Sequence, residues 1–394
     1  MNELQKEAAA IKPFLTSARR RLHGFAECGF SLPKTTEYVK NALLSMGYKP
    51  IDLGKGGVVC ELSAGERGTP AILLRADMDA LPLEEETTLS FRAENGCMHA
   101  CGHDMHTAML LGAAYLLMRY RRELKAPVRF LFQPAEEILA GAENMKRAGV
   151  LTGVMAAFML HAVTAVPFKT GTLLLPPTGV AAPAACFFEL NVLGKSAHIG
   201  EREKGADAIE GAVALFNAMQ KEREKMGEDL LLSVGKWQAG DAANIVPAKA
   251  TLSGSIRSMH PEKLGRFGAW LEERCERFTG DTSAHVTWLG GCPPLENDPR
   301  LLSMLEEALS QNGFHAKKMP PSRGNAAEDF AVLANEVPAV ALAIAAGESG
   351  RGYEYPLHHP RVLFDEDALP VGAAVYALAA IKTGLQTFTN QSGA

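Results

Sequence analysis

The chain has 394 residues, 47% of them hydrophobic, and a net charge of −5 from 40 basic and 45 acidic side chains. That length exceeds what one hydrophobic core usually serves, so two domains are expected. The mixed, slightly acidic balance offers no basic face to nucleic acid or to an anionic membrane, and no run approaches the ~20 apolar residues of a membrane span.

Residues 3–22 and 34–47 read as amphipathic helices, the second closed by Gly47, and RRLHGFAECGF between them as a loop holding His23 and Glu27. Residues 1–20 alternate charged and apolar positions, so no signal peptide is expected. Strand-like runs follow at 58–62, 72–75, 128–132 and 155–160, with helical patterns at 103–123 and 139–148 between the later ones. This alternation predicts an α/β domain whose largely parallel sheet is covered on both faces. Polar groups gather where the strands end: Arg75, Asp77 and Asp79 after the second, Glu136 and Glu137 after the third, His161 after the fourth. Ligands of open α/β sheets bind outside the carboxyl ends of the strands, so three separate stretches are expected to deliver these groups to one rim.

The helix at 103–123 is entered through MHACGHDMHT, residues 98–107, which packs Cys101, His103 and His106 around Asp104. A thiolate and an imidazole two residues apart suit a borderline-soft divalent ion, and a carboxylate beside them can orient an imidazole. The same pair fits a buried thiol beside a helix-capping histidine, or a nucleophile with its base. Glu136-Glu137 is open in the same way. Adjacent carboxylates are commonly a solvated surface or the acidic first turn of a helix; directly after a buried strand and Pro134, one can bind metal while its neighbour moves protons. Asp77 and Asp79 are read as orienting groups, with a turn ended by Pro82 as the plain alternative.

From Ala184 the pattern changes. A strand at 185–193, a helix at 206–224, strands at 229–237 and 248–257, a helix at 261–278 and a strand at 284–289 follow the order of a ferredoxin-like split βαβ unit. This predicts a smaller α+β domain at 184–293 inserted into a domain made of 1–183 plus 294–394. His198 in GKSAH, Asn244 in NIVP and Arg257 in GSIR stand out within it. Spacing alone makes them an ordinary loop histidine, turn asparagine and strand-end arginine, whereas a cation and an amide donor facing a metal site would suit a substrate carboxylate. The chain returns with a helix at 301–312, a helix start at Glu328-Asp329-Phe330, a buried strand at 339–346, the loop LHHP with His358 and His359, and a final helix at 366–383. The polar tail from Gly384 is expected to fray. Seven scattered cysteines without a framework spacing indicate a reducing compartment, and so a soluble cytoplasmic protein.

RADMDALP (75–82), HACGHDMHTAMLLGAA (99–114), FQPAEE (132–137), His161, GKSAH (194–198), NIVP (244–247), GSIR (254–257), EDF (328–330) and LHHP (357–360) occur in this order. Together they resemble the amidohydrolase branch of the aminoacylase/carboxypeptidase metallopeptidases, peptidase family M-twenty. That branch includes N-acyl-amino-acid amidohydrolases, hippurate hydrolases and hydrolases of auxin–amino acid conjugates. The resemblance implies a catalytic domain of zinc-peptidase type holding two divalent ions per subunit, manganese, zinc, cobalt or nickel, on Cys101, His103, Glu137, His161 and His358. Glu136 would be the general base, and Asp77, Asp79 and Asp104 would orient the ligands. His198 would reach in from the small domain of a partner subunit to stabilise the tetrahedral intermediate, with Asn244 and Arg257 on the substrate's carboxylate. The implied protein is a homodimer, joined through the inserted lid domain, that hydrolyses N-acetyl, N-benzoyl or similar N-acyl amino acids. A dipeptidase or carboxypeptidase with the same metal chemistry is the alternative. A cysteine hydrolase built on Cys101 and a structural metal with a docking module are the more distant readings. Two departures stand out: Phe25 and Ala26 replace the His and Pro of LH-x-HPE, and Glu203 replaces a second histidine after GKSAH. Neither is an implied ligand; both can reshape the substrate pocket.

Overall fold

The structure, a computed structural model, describes residues 2–177, 179–278, 281–320 and 326–384; the tail beyond Gly384 lies outside them. The chain divides into two compact units, one of 1–181 with 296–322 and 329–394, the other of 182–295 with 323–328.

In the larger unit the first helical stretch is two helices, Glu3–Ala10 and Lys12–Phe25, which meet at Ile11. Pro13 has no N–H to continue an earlier helix but fits the first turn of a new one. The second helix runs to Phe25, so His23 lies in its last turn and not in a loop. Glu27 then serves the next helix, Pro33–Ser45, by accepting the N–H groups of Lys34 (3.1 Å) and Thr35 (2.9 Å).

The sheet has eight strands in the spatial order Ile51–Gly54, Gly57–Leu62, Val128–Gln133, Ala71–Asp77, Val154–Val163, Ala339–Ala345, Leu173–Leu175 and Ala316–Lys318. Parallel pairing runs through the centre, from Val128–Gln133 to Ala339–Ala345, and recurs between the last two strands. The other pairs are antiparallel. The sheet is therefore mixed, where the sequence predicts a largely parallel one. Antiparallel pairing enters at Gly57–Leu62, a strand the sequence marks but whose direction no local pattern fixes, and at Ile51–Gly54 and Leu173–Leu175, which are too short for a period-2 pattern to register.

Helices His103–Arg119 and Ala368–Thr383 are buried on nearly every side. They pack closely because glycine permits it: a Cβ on Gly112 would fall 2.8 Å from Ala373 Cβ, and one on Gly372 would fall 2.0 Å from Met109 Sδ. Pairing between Ala71–Asp77 and Val154–Val163 ends at Arg75 opposite Met159. Beyond that point side chains take up the backbone groups of the parting strands. Tyr376 Oη donates to Arg75 O (2.7 Å) and accepts from Leu160 N (2.9 Å), while Ala162 N donates to His106 Nε2 (2.7 Å). These strands thus part at their carboxyl ends, the edge of an α/β sheet at which ligands bind.

The smaller unit runs strand, helix, strand, strand, helix, strand: Ala184–Leu193, Ala208–Met226, Leu230–Ala239, Lys249–Ser258, Pro261–Glu276 and Ser283–Cys292. Its strands form one antiparallel sheet in the order Ser283–Cys292, Ala184–Leu193, Lys249–Ser258, Leu230–Ala239. Phe188, Leu190, Leu252 and Ile256 from the sheet bury against Leu215 and Met219 of the first helix and Phe267 and Leu271 of the second. Among the described residues no helix is long and apolar enough to cross a membrane.

Candidate metal centre

Three turns aim the side chains. Gly102, at φ 84°, starts the helix His103–Arg119, and a Cβ there would meet the Phe364 ring at 2.9 Å. This sharp turn separates Cys101 from His103. Ala135, also at positive φ, turns the chain after the strand Val128–Gln133 so that Glu136 and Glu137 follow at its mouth. Their N–H groups donate to the two carboxylate oxygens of Asp79, at 3.0 and 3.2 Å. Asp79 O accepts from His103 Nδ1 (2.8 Å), which directs Nε2 into the cluster. His358, at φ 65°, is tied to the same place by its N–H donating to Ala100 O at 2.9 Å.

The ligating atoms converge. Cys101, His103 and His161 form one triplet, Cys101, Glu137 and His358 a second, and His103, Glu136 and Glu137 a third, with the donor atoms of each within 4.8 Å of one another. Cys101 Sγ lies 3.6 Å from His161 Nε2, and His358 Nε2 lies 3.6 Å from Glu137 Oε2. His103 Nε2 is 3.8 Å from Glu137 Oε1 and 3.9 Å from Glu136 Oε2. Burial pushes the Cys101 thiol up, and the Glu137 charge adds to it. Burial, opposed by His103 and reinforced by Asp79 and Asp77, pushes the Glu137 carboxyl up to about 7. Two buried polar atoms, His103 Nε2 and Glu137 Oε1, face each other without a hydrogen-bond partner, and such orphans call for a third body. A thiol, imidazoles and carboxylates crowded in this way are the donor set of a borderline divalent cation. The residues present fit such an ion.

Behind the cluster stands a buried frame. Asp77 accepts from His106 Nδ1 (2.6 Å), Arg75 Nη1 (2.7 Å) and, at its carbonyl, Thr107 Oγ1 (2.9 Å). Arg75 also donates to Gln133 and Asp329, and Asp329 accepts from Gln133 Nε2 and Ala142 N. His106 had a readable signal: His103 and His106 stand three apart and share a helix face. One of them enters the donor cluster; the other bridges Asp77 to the strand carrying His161. Asp104 faces elsewhere. Its carboxylate accepts from Arg19 Nε and His23 Nδ1, both at 2.8 Å, so the imidazole it orients is His23 and not that of His103 or His106. Neither Arg19 nor Glu85, which completes the set on His23 Nε2 (3.1 Å), announces itself in the sequence.

His198, Asn244 and Arg257 all lie in the smaller unit. His198 and Asn244 come together: His198 bridges to Ile245, and Ile199 N donates to Asn244 O at 3.1 Å. Arg257 does not join them. It lies eight residues along the strand from Lys249, roughly 26 Å at the usual rise per residue.

The family model described as Peptidase family M20/M25/M40 matches residues 73–382. The chain belongs to this family. An N-acetyl-L-cysteine deacetylase of Bacillus subtilis is 36% identical over 376 residues, covering 92% of this chain and 86% of the relative. An N-acyl-L-amino acid amidohydrolase of Geobacillus stearothermophilus is 33% identical over 288 residues, 72% of this chain and 76% of the relative. Among solved structures, a dinuclear metal binding peptidase of the M20 family from Bacillus subtilis superposes with a TM-score of 0.76 at 31% identity, covering 96% of this chain and 99% of that one. The M20 chain described here presents its donor cluster on the same fold.

Proposed function

We propose that this M20 chain is an amidohydrolase that cleaves the amide bond of N-acyl amino acids, releasing a carboxylic acid and a free amino acid. The observation behind this is the convergence of Cys101, His103, Glu137, His161 and His358 beside a second carboxylate, Glu136. Relatives named for deacetylation and for N-acyl amino acids favour this substrate class over dipeptides.

The five donors would hold two divalent ions, with Cys101 common to two of the triplets. Once bound, the ions polarise the scissile carbonyl and acidify the attacking water. Manganese, zinc, cobalt and nickel all suit this mixture of ligands. Glu136 is the proton carrier. Its Oε1 receives the Asp329 N–H at 3.4 Å and its Oε2 lies on the His103 side. It accepts the proton of the attacking water and returns it to the leaving nitrogen, so that the amide departs as a neutral amine. Asp79 holds Glu136 and Glu137 by their backbones and His103 by its ring, so one residue sets the spacing of base and ligands.

The smaller unit, 184–293 in the sequence, is proposed as a ferredoxin-like lid and dimerisation domain. Asn244 and Arg257 are assigned to the substrate carboxylate and His198 to the tetrahedral intermediate. Since Asn244 and Arg257 lie at opposite ends of the Lys249–Ser258 strand, they can meet one carboxylate only from different chains. That supports a homodimer in which His198 and Asn244 act across the interface. The edge strand Leu230–Ala239, with exposed Leu231 and Trp237, is a surface onto which a second copy can pair. Seven cysteines scattered without a framework spacing support a cytoplasmic location.

The deciding experiment measures metal per chain together with hydrolysis of N-acetyl amino acids, N-benzoyl amino acids and free dipeptides, before and after chelation and metal return. The expected result is close to two ions per chain and acyl-amino-acid hydrolysis that is lost to the chelator and restored by metal. Hydrolysis that persists without metal, or free dipeptides turned over faster than acyl amino acids, overturns the proposal.

A further inference from the structure

We propose that Cys28 and Cys97 form a reversible disulfide, a covalent modification site next to the frame of the metal-ligand cluster. Their sulfurs lie 2.8 Å apart although 69 positions separate them in sequence. Both are partly exposed, whereas Cys60, Cys101, Cys275 and Cys292 are buried. Closing from that separation to a bond takes a movement of roughly 0.8 Å.

The approach is preset by the backbone. Cys28 bridges to Ala80 in parallel, and Ala80 N donates to Glu27 O at 2.8 Å. Leu81 and Met98 exchange N–H bonds at 3.0 and 2.9 Å. Asn95 Nδ2 donates to Phe25 O (2.8 Å), and Asn95 Oδ1 accepts from Cys97 N (3.2 Å). Segments 25–28, 79–81 and 95–98 are thereby stitched together, with the small side chains of Ala26, Ala80 and Ala93 packed against the two cysteines. The middle segment carries Asp79, which holds Glu136, Glu137 and His103; the third runs on into Cys101. A bond here would fix the frame on which the cluster stands.

The oxidant is a low-molecular-weight disulfide. One protein thiolate attacks it, forming a mixed disulfide and expelling one small thiolate; the second protein thiolate then displaces the other. Two protein thiols are oxidised, one small disulfide is reduced to two thiols, and the protons of the protein thiols pass to the released thiolates or to water. Burial, contact with Cys97 and the charges of Asp79 and Glu137 push the Cys28 thiol up to about 12, so the exchange quickens as pH rises.

The test uses the metal-loaded full chain, equilibrated with oxidised or reduced glutathione, alkylated and mapped by peptide mass spectrometry. The expected product of oxidation is a peptide crosslinked between Cys28 and Cys97 that excess thiol reverses. A rise in the thermal midpoint of about 5 °C should accompany it, because the closed loop is long. Both changes should be absent from Cys28→Ser and Cys97→Ser and present in Cys60→Ser. Full alkylation of both cysteines after oxidation, stable mixed disulfides on each without a crosslink, or a crosslink to Cys101 instead would each overturn the proposal; mapping of the unmutated chain decides among these without relying on any variant.

Discussion

Glu136 and Glu137 are neighbours in sequence, and what surrounds each carboxylate supports the different work proposed for each. Glu137 lies between His103 and His358, with one oxygen toward each, while Glu136 touches the Asp329 N–H and reaches His103 only at 3.9 Å. Both backbones hang from Asp79, so a substitution that keeps side-chain volume leaves them in place. For Glu136→Gln the expected outcome is a metal content near that of the parent chain and a fall in kcat of about 10²–10⁴-fold, the usual weight of a general base. Metal analysis beside steady-state kinetics checks it; near-normal turnover would remove Glu136 as the base. Arg75 illustrates the opposite kind of polar residue. Fully buried between Asp77 and Asp329, it neutralises two carboxylates, and its loss would strand them at a cost of about 3–5 kcal/mol.

The first turn of the helix His103–Arg119 is held from behind by the helix Lys12–Phe25. Arg19 and His23 of that helix meet Asp104, and His23 also meets Glu85. Burial disfavours the charged imidazole, but the hydrogen bonds to Asp104 and Glu85 outweigh it and raise His23 above 6.5. Burial likewise works against the Glu85 carboxylate, and the hydrogen bond from His23 outweighs it, holding Glu85 below 4.5. The signs follow. His23 contributes stability that is complete below 6.5 and lost as pH rises through its raised value; Glu85 contributes stability present above 4.5 and lost as pH falls through its depressed value. The gap in stability between the parent chain and His23→Gln should therefore be widest from pH 4.5 to 6.5, on the order of 3 kcal/mol, and narrow on either side. Denaturant melts across pH 4–9 measure it, and a gap that stays constant through that range means the imidazole is not charged in the folded state.

For the whole molecule, His198, Asn244 and Arg257, the residues assigned to the substrate, all lie in the smaller unit, with Asn244 before the strand Lys249–Ser258 and Arg257 near its far end. The proposed assembly of two copies makes a complementation test possible. His198→Ala and Glu136→Gln chains should each be inactive alone. After subunit exchange at equal concentrations, about one site in four combines an intact Glu136 with an intact His198, and that share of activity should return. No recovery, with mixed dimers demonstrated by native mass spectrometry, would exclude action across the interface. Loading with the proposed ions should also stabilise the folded chain by an amount that grows with the logarithm of ion concentration over Kd, since the five converging donors have no counterpart in the unfolded chain.

Much of this protein was legible before any coordinates. The strands ending at Asp77, Gln133 and Val163, the helix opening at His103 and the six-element order of the smaller unit follow from hydrophobic period and turn residues, which act within a few positions of one another. The proposed donors stand out in the sequence because ligand chemistry admits few residue types, and the structure brings these candidates within reach of one another. What the tertiary structure alone decided depends on direction and on distant partners. Asp104 turns to Arg19 and His23, 85 and 81 positions away, because the helix Lys12–Phe25 packs on that side. His106 and Tyr376 fill the split between two parallel strands, and no local pattern marks where strands part. The outer pairs of the larger sheet run antiparallel, Arg257 falls near the far end of the strand that follows Asn244, and Cys28 meets Cys97 across 69 positions. Periodicity records which residues are buried; which buried residues touch is set by long-range packing, a property of the whole chain.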